Sequence, residues 1–518
     1  MAITPLQTLL IGLLYFAANT SFLAGLGYFT TWRPLINGFL AGVVLGDPVR
    51  GTLVGALINV LYLGYMSVGG TLGIGDAALA GILGATVGIT VGLPDAHQAT
   101  GIGVLIGVLA GNLGFPLLSL RMKLDNRVVH AMEHAAERGD AHAMVGLNIF
   151  AGQGLLLVIT TLPAAMLALA LAYSVHALAS ITPSSLLQSL GTAGTGLAGA
   201  LGIALAMKFV FKGRGVVAFA TGYALLTLTG INIGIFVLGA IALVFAIDLV
   251  KLGKEAQNLG WNRATGVFLL WQFFSHSSYS FERLQGSGVA AAFAPALQKL
   301  YPDGADRRAA LLRHLTFFNV EPNWGSVVLG AILKQEEELA AGHADVESVI
   351  ATKQALMGVV SGFGDTVSQG AILPLLLSIG LSISLAPEAS LWPATGVIIY
   401  LALICPTMLA ISALCFDAGY THGRDAALSI LGNPRIKWWV AMAELIGAFM
   451  LGVLGAMRQV TGLNLSNPFL SQTFVDIPLR LSIVFLFYFI VKCFNVKPTL
   501  VLTGAVIFSI LIGLLGLL

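Results

Sequence analysis

Two glycine-rich tetrapeptides hold the residues whose types and spacing suit ligand chemistry. Gly73-Ile74-Gly75-Asp76 lies in the first half and Gly362-Phe363-Gly364-Asp365 in the second, and each is followed by another glycine, Gly81 and Gly370, five residues after the aspartate. Glycine lets the backbone leave helical geometry and approach a ligand closely. A carboxylate near a half-helix start can then accept hydrogen bonds from solute hydroxyls, where the positive end of the helix favours negative charge. In a chain with 62 glycines the pattern still points, occurring once in each half, to a transporter site built from an internal repeat. The competing account is that Asp76 and Asp365 only cap tight turns, because aspartate is a good N-cap.

A second concentration of chemistry runs from Gln272 to Gly342, a polar and charged island in a chain that is 57% hydrophobic and 10% charged. Ionisable groups are costly at membrane depth and are kept where they serve a purpose. The run Phe273 to Glu282 supplies His276, Tyr279 and Glu282, and Gln285 and Asn319 follow. Sugars are held by acidic and amide groups that bridge hydroxyls and by aromatic faces that cover the ring. An internal pairing of Glu282 with Arg283 or Asn319 is the structural alternative. Asn59 and Ser67, in a glycine-rich segment of the first half, and Gln369, beside the second tetrapeptide, complete the candidates.

These residues must be positioned by helices. Mean hydropathy is +0.90, and apolar segments recur along the whole chain, several near the roughly 20 residues that span a bilayer and others shorter and broken by Gly or Pro. The expected fold is an all-α polytopic membrane protein, with two pseudo-repeated halves and discontinuous or re-entrant helices. Leu9 to Phe29 reads as one retained helix, since the N-terminus lacks a basic leader. Trp32 and Arg33 read as membrane-interface residues, and Leu120 to His142 as a solvated or interfacial helix rather than a metal site built on His130, Glu133 and His134. Ala305 to Phe318 reads as an amphipathic surface helix and Lys334 to Leu339 as a solvated helix end. The polar connector Gly253 to Asn262 is the natural boundary. A formal charge of +2 implies no nucleic-acid partner. Cys405, Cys415 and Cys493 lack the paired spacing of a disulfide framework or metal site. No cofactor is expected.

The second half resembles the IID membrane component of the mannose-fructose-sorbose family of the bacterial phosphoenolpyruvate-dependent sugar phosphotransferase system. The resemblance is carried by Phe281-Glu282-Arg283-Leu284-Gln285, Leu300-Tyr301-Pro302, Arg313 to Asn319, Glu336-Glu337, Gly364-Asp365, Gly370, Pro374 and Gly419-Tyr420. The first half is similar to the partner IIC component through Arg33-Pro34-Leu35, Leu45-Gly46-Asp47, Leu63-Gly64 and Asp76 to Ala80. The chain therefore looks like a fusion, with an IIC-like membrane domain at 1–255 and an IID-like one at 256–518.

That resemblance implies a sugar-translocating permease of the bacterial cytoplasmic (inner) membrane. It implies an elevator-like core movement and a homo-oligomer in lipid, a trimer by family habit. The sugar would be phosphorylated by a soluble IIB protein recharged by IIA. The phosphorylated histidines belong to IIA and IIB, so none is expected here, His314 included. Where mannose-type IID chains carry Trp and Asn ahead of Phe-Glu-Arg, this chain has Tyr279 and Ser280. A tryptophan usual after Gly-x-Gly-Asp is replaced by Gln369, and an acidic residue common in IIC by Asn59. These departures weaken the case for glucose or mannose and name no replacement. The alternative reading is a proton-coupled secondary transporter using Asp76 and Asp365. A receptor without transport has no positive support in the sequence.

Overall fold

The computed structural model describes residues 3–21, 26–64, 75–231, 264–386, 392–462, 473–494 and 496–514, with Gly234 and Val237. Ser67, the connector Gly253 to Asn262 and the junction at 255/256 lie outside the described residues. Regular structure in the described residues is helical, and the β-type pairings among them are two isolated bridges, Ser280 with Leu284 and Leu284 with Phe318.

The first half runs through α1 (Pro5–Asn19), α2 (Leu26–Phe29), α3 (Pro34–Leu45), α4 (Pro48–Leu61), α5 (Ala77–Thr90) and α6 (Ala96–Gly111). It continues with α7 (Gly114–Glu137), α8 (Ala141–Gly146), α9 (Gln153–Ile181), α10 (Ser184–Thr192), α11 (Ala198–Val210) and α12 (Arg214–Thr229). The second half opens with α13 (Ala264–Phe274), α14 (Gly286–Leu300), α15 (Gly304–His314), α16 (Ser326–Ala340), α17 (Val346–Val367) and α18 (Leu373–Ser384). It closes with α19 (Ala394–His422), α20 (Arg424–Gly432), α21 (Pro434–Ala456), α22 (Arg458–Thr461), α23 (Thr473–Cys493) and α24 (Pro498–Leu514). Prolines occupy the first helical position at Pro5, Pro34, Pro48 and Pro434, where the missing N–H costs nothing. The Asp47 side chain caps the start at Pro48 as well, and side-chain oxygens of Asp76, Asp95, Asp140, Asp303 and Asp345 cap other starts.

Among the described residues, six helical stretches are long and apolar enough to cross a membrane: 96–137, 141–181, 184–210, 346–384, 394–422 and 434–456. Phe150 in the π-helical turn that leads into α9, and Met166 and Ile181 on α9, turn outward, each more than two thirds exposed, as a lipid-facing helix requires. By contrast α3, α4 and α5, of 12 to 14 residues, are short and packed on one another and on α6, and every residue of α5 is buried. Glycines make this packing feasible. A Cβ on Gly38 would lie 2.4 Å from the Gly51 carbonyl oxygen, and one on Gly103 2.7 Å from that of Gly84, so backbones touch where side chains would stand.

The two halves interleave. The largest apolar cluster takes residues from α4, α6 and α11 together with α18, α19 and α21. A second, built on α13 to α17, admits Met132 and Met144 from the first half. Between α12 and α21 the contact is reciprocal: a Cβ on Gly222 would sit 2.0 Å from the Phe449 carbonyl oxygen, and one on Gly452 2.0 Å from that of Phe219. Gly222→Ile is therefore expected to cost at least the ~1–3 kcal/mol of ordinary overpacking, read as a lower melting temperature of the purified protein. An unchanged melting temperature would show that α12 and α21 do not meet in this register.

Three sequence expectations change. The Leu9 to Phe29 helix is two helices, because the Asn19 amide donates back to the Tyr15 carbonyl and Thr20 turns to extended geometry, ending α1. The Leu120 to His142 segment belongs mostly to α7, and its Arg121 and Asp125 are buried rather than solvated. The supposedly solvated helix end at Lys334 to Leu339 carries Glu336 at 0% exposure. Its carboxylate accepts from both the Arg313 Nε and Nη2 at 2.8 Å, from His314 Nε2 at 2.8 Å and from the Tyr301 hydroxyl at 2.7 Å.

Candidate functional site

Each aspartate of the paired tetrapeptides is buried, and each is held differently. Asp76 caps α5, accepting from the Leu79 N–H at 2.9 Å through Oδ1 and from the Tyr15 hydroxyl at 2.7 Å through Oδ2. Its neighbour Gly75 has φ +149, a conformation open to glycine alone, and α7 begins so close that a Cβ on Gly114 would lie 2.3 Å from the Asp76 Cβ. Asp365, in contrast, lies within the last turn of α17 and is not at a helix start; the helical path continues through a π-helical turn, Ser368–Ile372, into α18. The expected break at the second motif is thus a π-bulge, a feature frequent at functional sites. Asp365 Oδ1 accepts from Gln369 Nε2 at 2.9 Å, and Gln369 Oε1 accepts from the Tyr28 hydroxyl at 3.1 Å. Since Tyr28 is on α2, this relay crosses from one half to the other.

The Phe273 to Ser278 segment is gripped by the first half. Arg121 Nη2 donates to the His276 and Ser277 carbonyls while its Nε bonds Asp125 at 3.2 Å. Asn148 Nδ2 donates to the Phe274 carbonyl at 3.1 Å, its Oδ1 accepts from the Ser278 hydroxyl at 2.6 Å, and Gln153 Nε2 donates to the Ser277 hydroxyl at 2.8 Å. A Cβ on Gly152 would strike the Ser277 carbonyl at 2.5 Å, so that glycine is what lets the segment lie flat against the first half. The Arg121 charge is within electrostatic reach of Tyr15, His276 and Tyr279, and that of Asp365 within reach of Tyr279 and Glu321.

Gln285 is a brace. Its amide donates to the Val320 carbonyl and accepts from the Val320 N–H, both at 2.9 Å, with His276 Nε2 3.0 Å from its Nε2. This brace holds Leu284 at φ +48, left-handed geometry that costs a leucine on the order of 1 kcal/mol or more. Asn319 is half-buried and its N–H points at Met357 Sδ, 3.3 Å away. Tyr279 and His276 lie ring to ring at 5.3 Å. Glu282 stands apart: its side chain is 43% exposed and 3.5 Å from His130, while Arg283 pairs with Glu133. The expected internal pairing of Glu282 with Arg283 or Asn319 is replaced by these two contacts to α7, since the loop lays both side chains along that helix. Asn59 is fully buried, its Oδ1 accepting from the Leu35 N–H at 3.1 Å and its Nδ2 without a hydrogen-bond partner.

Sequence reasoning missed four contributors. Tyr15 and Tyr28 sit in apolar runs and offer no signal there. Glu321, in the Asn319-Val320-Glu321-Pro322 stretch, is buried and takes the N–H groups of Asn323 and Trp324 at 3.0 and 2.7 Å; Gly364 lets it approach, because a Cβ there would lie 2.7 Å from the Glu321 Cβ. Arg33 is the fourth. It is fully enclosed rather than interfacial, with its guanidinium 4.7 Å from the Tyr28 ring centre and 5.2 Å from that of Trp32, and none of its three nitrogens has a hydrogen-bond partner. Cation–π contact is worth about 2 kcal/mol when desolvated, less than the several kcal/mol that burying an ion costs. A lone cation amid apolar sequence was the available signal. Gln369 also faces a recess between the halves, lined by Gly370, Pro374, Glu444 and Gly447 on one side and Leu63, Gly64 and Ala206 on the other.

At the seam between halves one aromatic hydroxyl, one amide and one carboxylate meet, Tyr28, Gln369 and Asp365, groups of the kind that hold solute hydroxyls. Comparison with known proteins agrees in class. Residues 262–518 match the family described as the phosphotransferase system mannose/fructose/sorbose family IID component, and residues 5–247 match the sorbose-specific IIC component. The fructose permease IID component of Bacillus subtilis is 32% identical over 182 residues, covering 35% of this chain and 64% of the relative. The mannose-specific EIID component of Escherichia coli K12 is 30% identical over 191 residues, 36% of this chain and 65% of the relative. Its mannose-specific EIIC component is 27% identical over 268 residues, 52% and 94%. The chain thus spans just under two thirds of the length of these IID relatives. A solved membrane protein aligns with 50% of this chain and 99% of its own at 25% identity and TM-score 0.42, and a mannose transporter ManYZ complex with microcin E492 at 25% identity, 50% and 98% coverage and TM-score 0.30. With the two family matches side by side in one multi-pass chain, this is a member of the mannose/fructose/sorbose family of phosphotransferase-system membrane components, an IIC-type half followed by an IID-type half.

Proposed function

We propose that the chain is the membrane permease of a sugar phosphotransferase system, taking a sugar or sugar derivative inward at the seam between its 1–255 and 256–518 halves. A separate IIB protein, recharged by IIA, phosphorylates the solute on the cytoplasmic side. The observation that carries this reading is the relay from Tyr28 through Gln369 to Asp365, which ties the two halves at a buried acidic group. Asp365, Gln369, Asp76 and Tyr279 bind hydroxyls and the sugar face, and Arg121 positions the His276 to Ser278 backbone beside them. Gln285 braces that segment through His276, and Asn319 and Asn59 are further amides of the site. Glu282, being exposed, serves the contact with α7. Movement of a core carrying these groups would expose them alternately, and the family's trimeric habit extends to this chain as part of the same reading.

The test is uptake into membrane vesicles that contain the protein, loaded with phosphoenolpyruvate and the soluble phosphotransferase proteins. Product is expected to accumulate as the sugar phosphate and to disappear when IIB is omitted. Unphosphorylated sugar that accumulates in step with an imposed proton gradient would instead establish secondary transport.

A further inference from the structure

We propose that Arg33 receives the carboxylate of an acidic sugar, so that the solute is an aldonate or uronate rather than a neutral hexose; this rests on the permease reading above and specifies its substrate class. Arg33 is fully buried, and its Nε, Nη1 and Nη2 have no hydrogen-bond partner. Asn59, also fully buried, binds the N–H of Leu35, two residues from Arg33, through its oxygen and leaves its Nδ2 unpartnered, a second buried donor tied to the same stretch of chain. Asn59 brings no counter-charge. Guanidinium is a planar fork that matches a carboxylate with two parallel hydrogen bonds, and a buried cation is stable only when such an anion pairs it.

The surroundings suit the rest of such a molecule. The rings of Tyr28 and Trp32 stack 5.0 Å apart and border the guanidinium, giving an apolar face for a carbon chain or ring. At the far end of Tyr28, its hydroxyl reaches Gln369 and through it Asp365. One tyrosine therefore separates a cation that lacks an anion from an amide and a carboxylate suited to hydroxyls. An aldonate or uronate has the same polarity, a carboxylate at one end and hydroxyls along the remainder. Entry requires the seam to open, as the proposed core movement would do.

Calorimetric titration of the full chain in lipid nanodiscs, with D-gluconate, D-glucuronate, D-mannose and acetate as probes, tests the assignment. At least one acidic sugar is expected to bind ten times or more tightly than D-mannose, with acetate unable to displace it at equal concentration. Arg33→Gln should remove that tenfold preference. Asn59→Glu, which supplies a carboxylate beside the same turn of chain, should weaken acidic-sugar binding and raise the melting temperature, so a folded variant carries the result even if Arg33→Gln is unstable. Mannose binding as tight as gluconate, or an acidic-sugar affinity indifferent to both substitutions, overturns the inference and leaves the permease reading standing. Displacement of the acidic sugar by acetate alone also overturns it, marking Arg33 as a site for any small anion. Absence of binding by every sugar overturns the permease reading and this inference with it.

Discussion

Asp365→Asn is expected to cut sugar uptake on the order of tenfold to a hundredfold with the protein still present in the membrane. The carboxylate is only 7% exposed and is oriented by Gln369, itself oriented by Tyr28. A hydrogen bond to a charged group contributes about 1.5–3 kcal/mol, and each 1.4 kcal/mol is about tenfold in affinity. Asparagine keeps the shape and removes the charge, so the loss reports the charge rather than a cavity. Tyr28→Phe should cost less, because it frees the Gln369 amide to turn without removing any acidic group. Glu282→Gln should change uptake little, since that side chain is exposed and reaches His130 rather than the seam. The comparison is made by initial uptake rates normalised to membrane abundance. Equal losses for Glu282→Gln and Asp365→Asn would move the site out of the seam and into the surface loop.

The class of the fold was legible because composition and apolar runs leave a polytopic helical protein as the economical reading, and the motifs of both halves carry family information. Positions within the fold were harder to read. Asp76 and Asp365 share a sequence pattern yet occupy different backbone settings, since Asp76 follows a glycine at φ +149 and caps a helix while Asp365 precedes a π-bulge inside one. Sequence pattern records that glycines are needed, not whether they serve a turn or a close approach. Arg313 and Glu336 were read as surface or solvated charges because most charges are; with His314 they are instead buried together. Helical spacing places Arg313 and His314 next to each other on one helix, but their partner comes from a helix some twenty residues further on, and no local pattern encodes that meeting. The same holds for Arg33 and Arg121, whose surroundings are assembled from distant segments. Partner identity, rather than residue type, was what the linear chain withheld.

The second large effect belongs to that buried group. Glu336→Gln is expected to destabilise the protein by about 3–5 kcal/mol, the range for removing one partner of a buried ion pair. Burial opposes ionisation of Glu336, and the hydrogen bonds from His314 and Arg313 more than offset it, holding the carboxyl down at about 2 against an ordinary value of 4.5. Burial lowers the His314 pKa and so favours its neutral form, and the geometry leans the same way: Nε2 faces the carboxylate at 2.8 Å, while Nδ1 is buried without a partner and would be an unpaired N–H in the cation. Arg313, held in two bonds of 2.8 Å, is then the charge left uncompensated when glutamine replaces glutamate. Because the folded carboxyl is the more acidic one, its contribution is complete above the unfolded value of about 4.5 and is lost as pH falls from there towards 2, a difference of roughly 3 kcal/mol at about 1.4 kcal/mol per unit. Melting temperatures of the purified protein should therefore drop between pH 5 and pH 3 in the wild type and fall less steeply in Glu336→Gln, which begins low. Glu337→Gln is the companion measurement, since Glu337 is half-buried and accepts from the Tyr420 hydroxyl at 2.9 Å, a loss of about 1 kcal/mol. Equal destabilisation by the two substitutions, or identical pH slopes for Glu336→Gln and wild type, would mean that the Arg313 and Glu336 pair does not clamp α15 to α16.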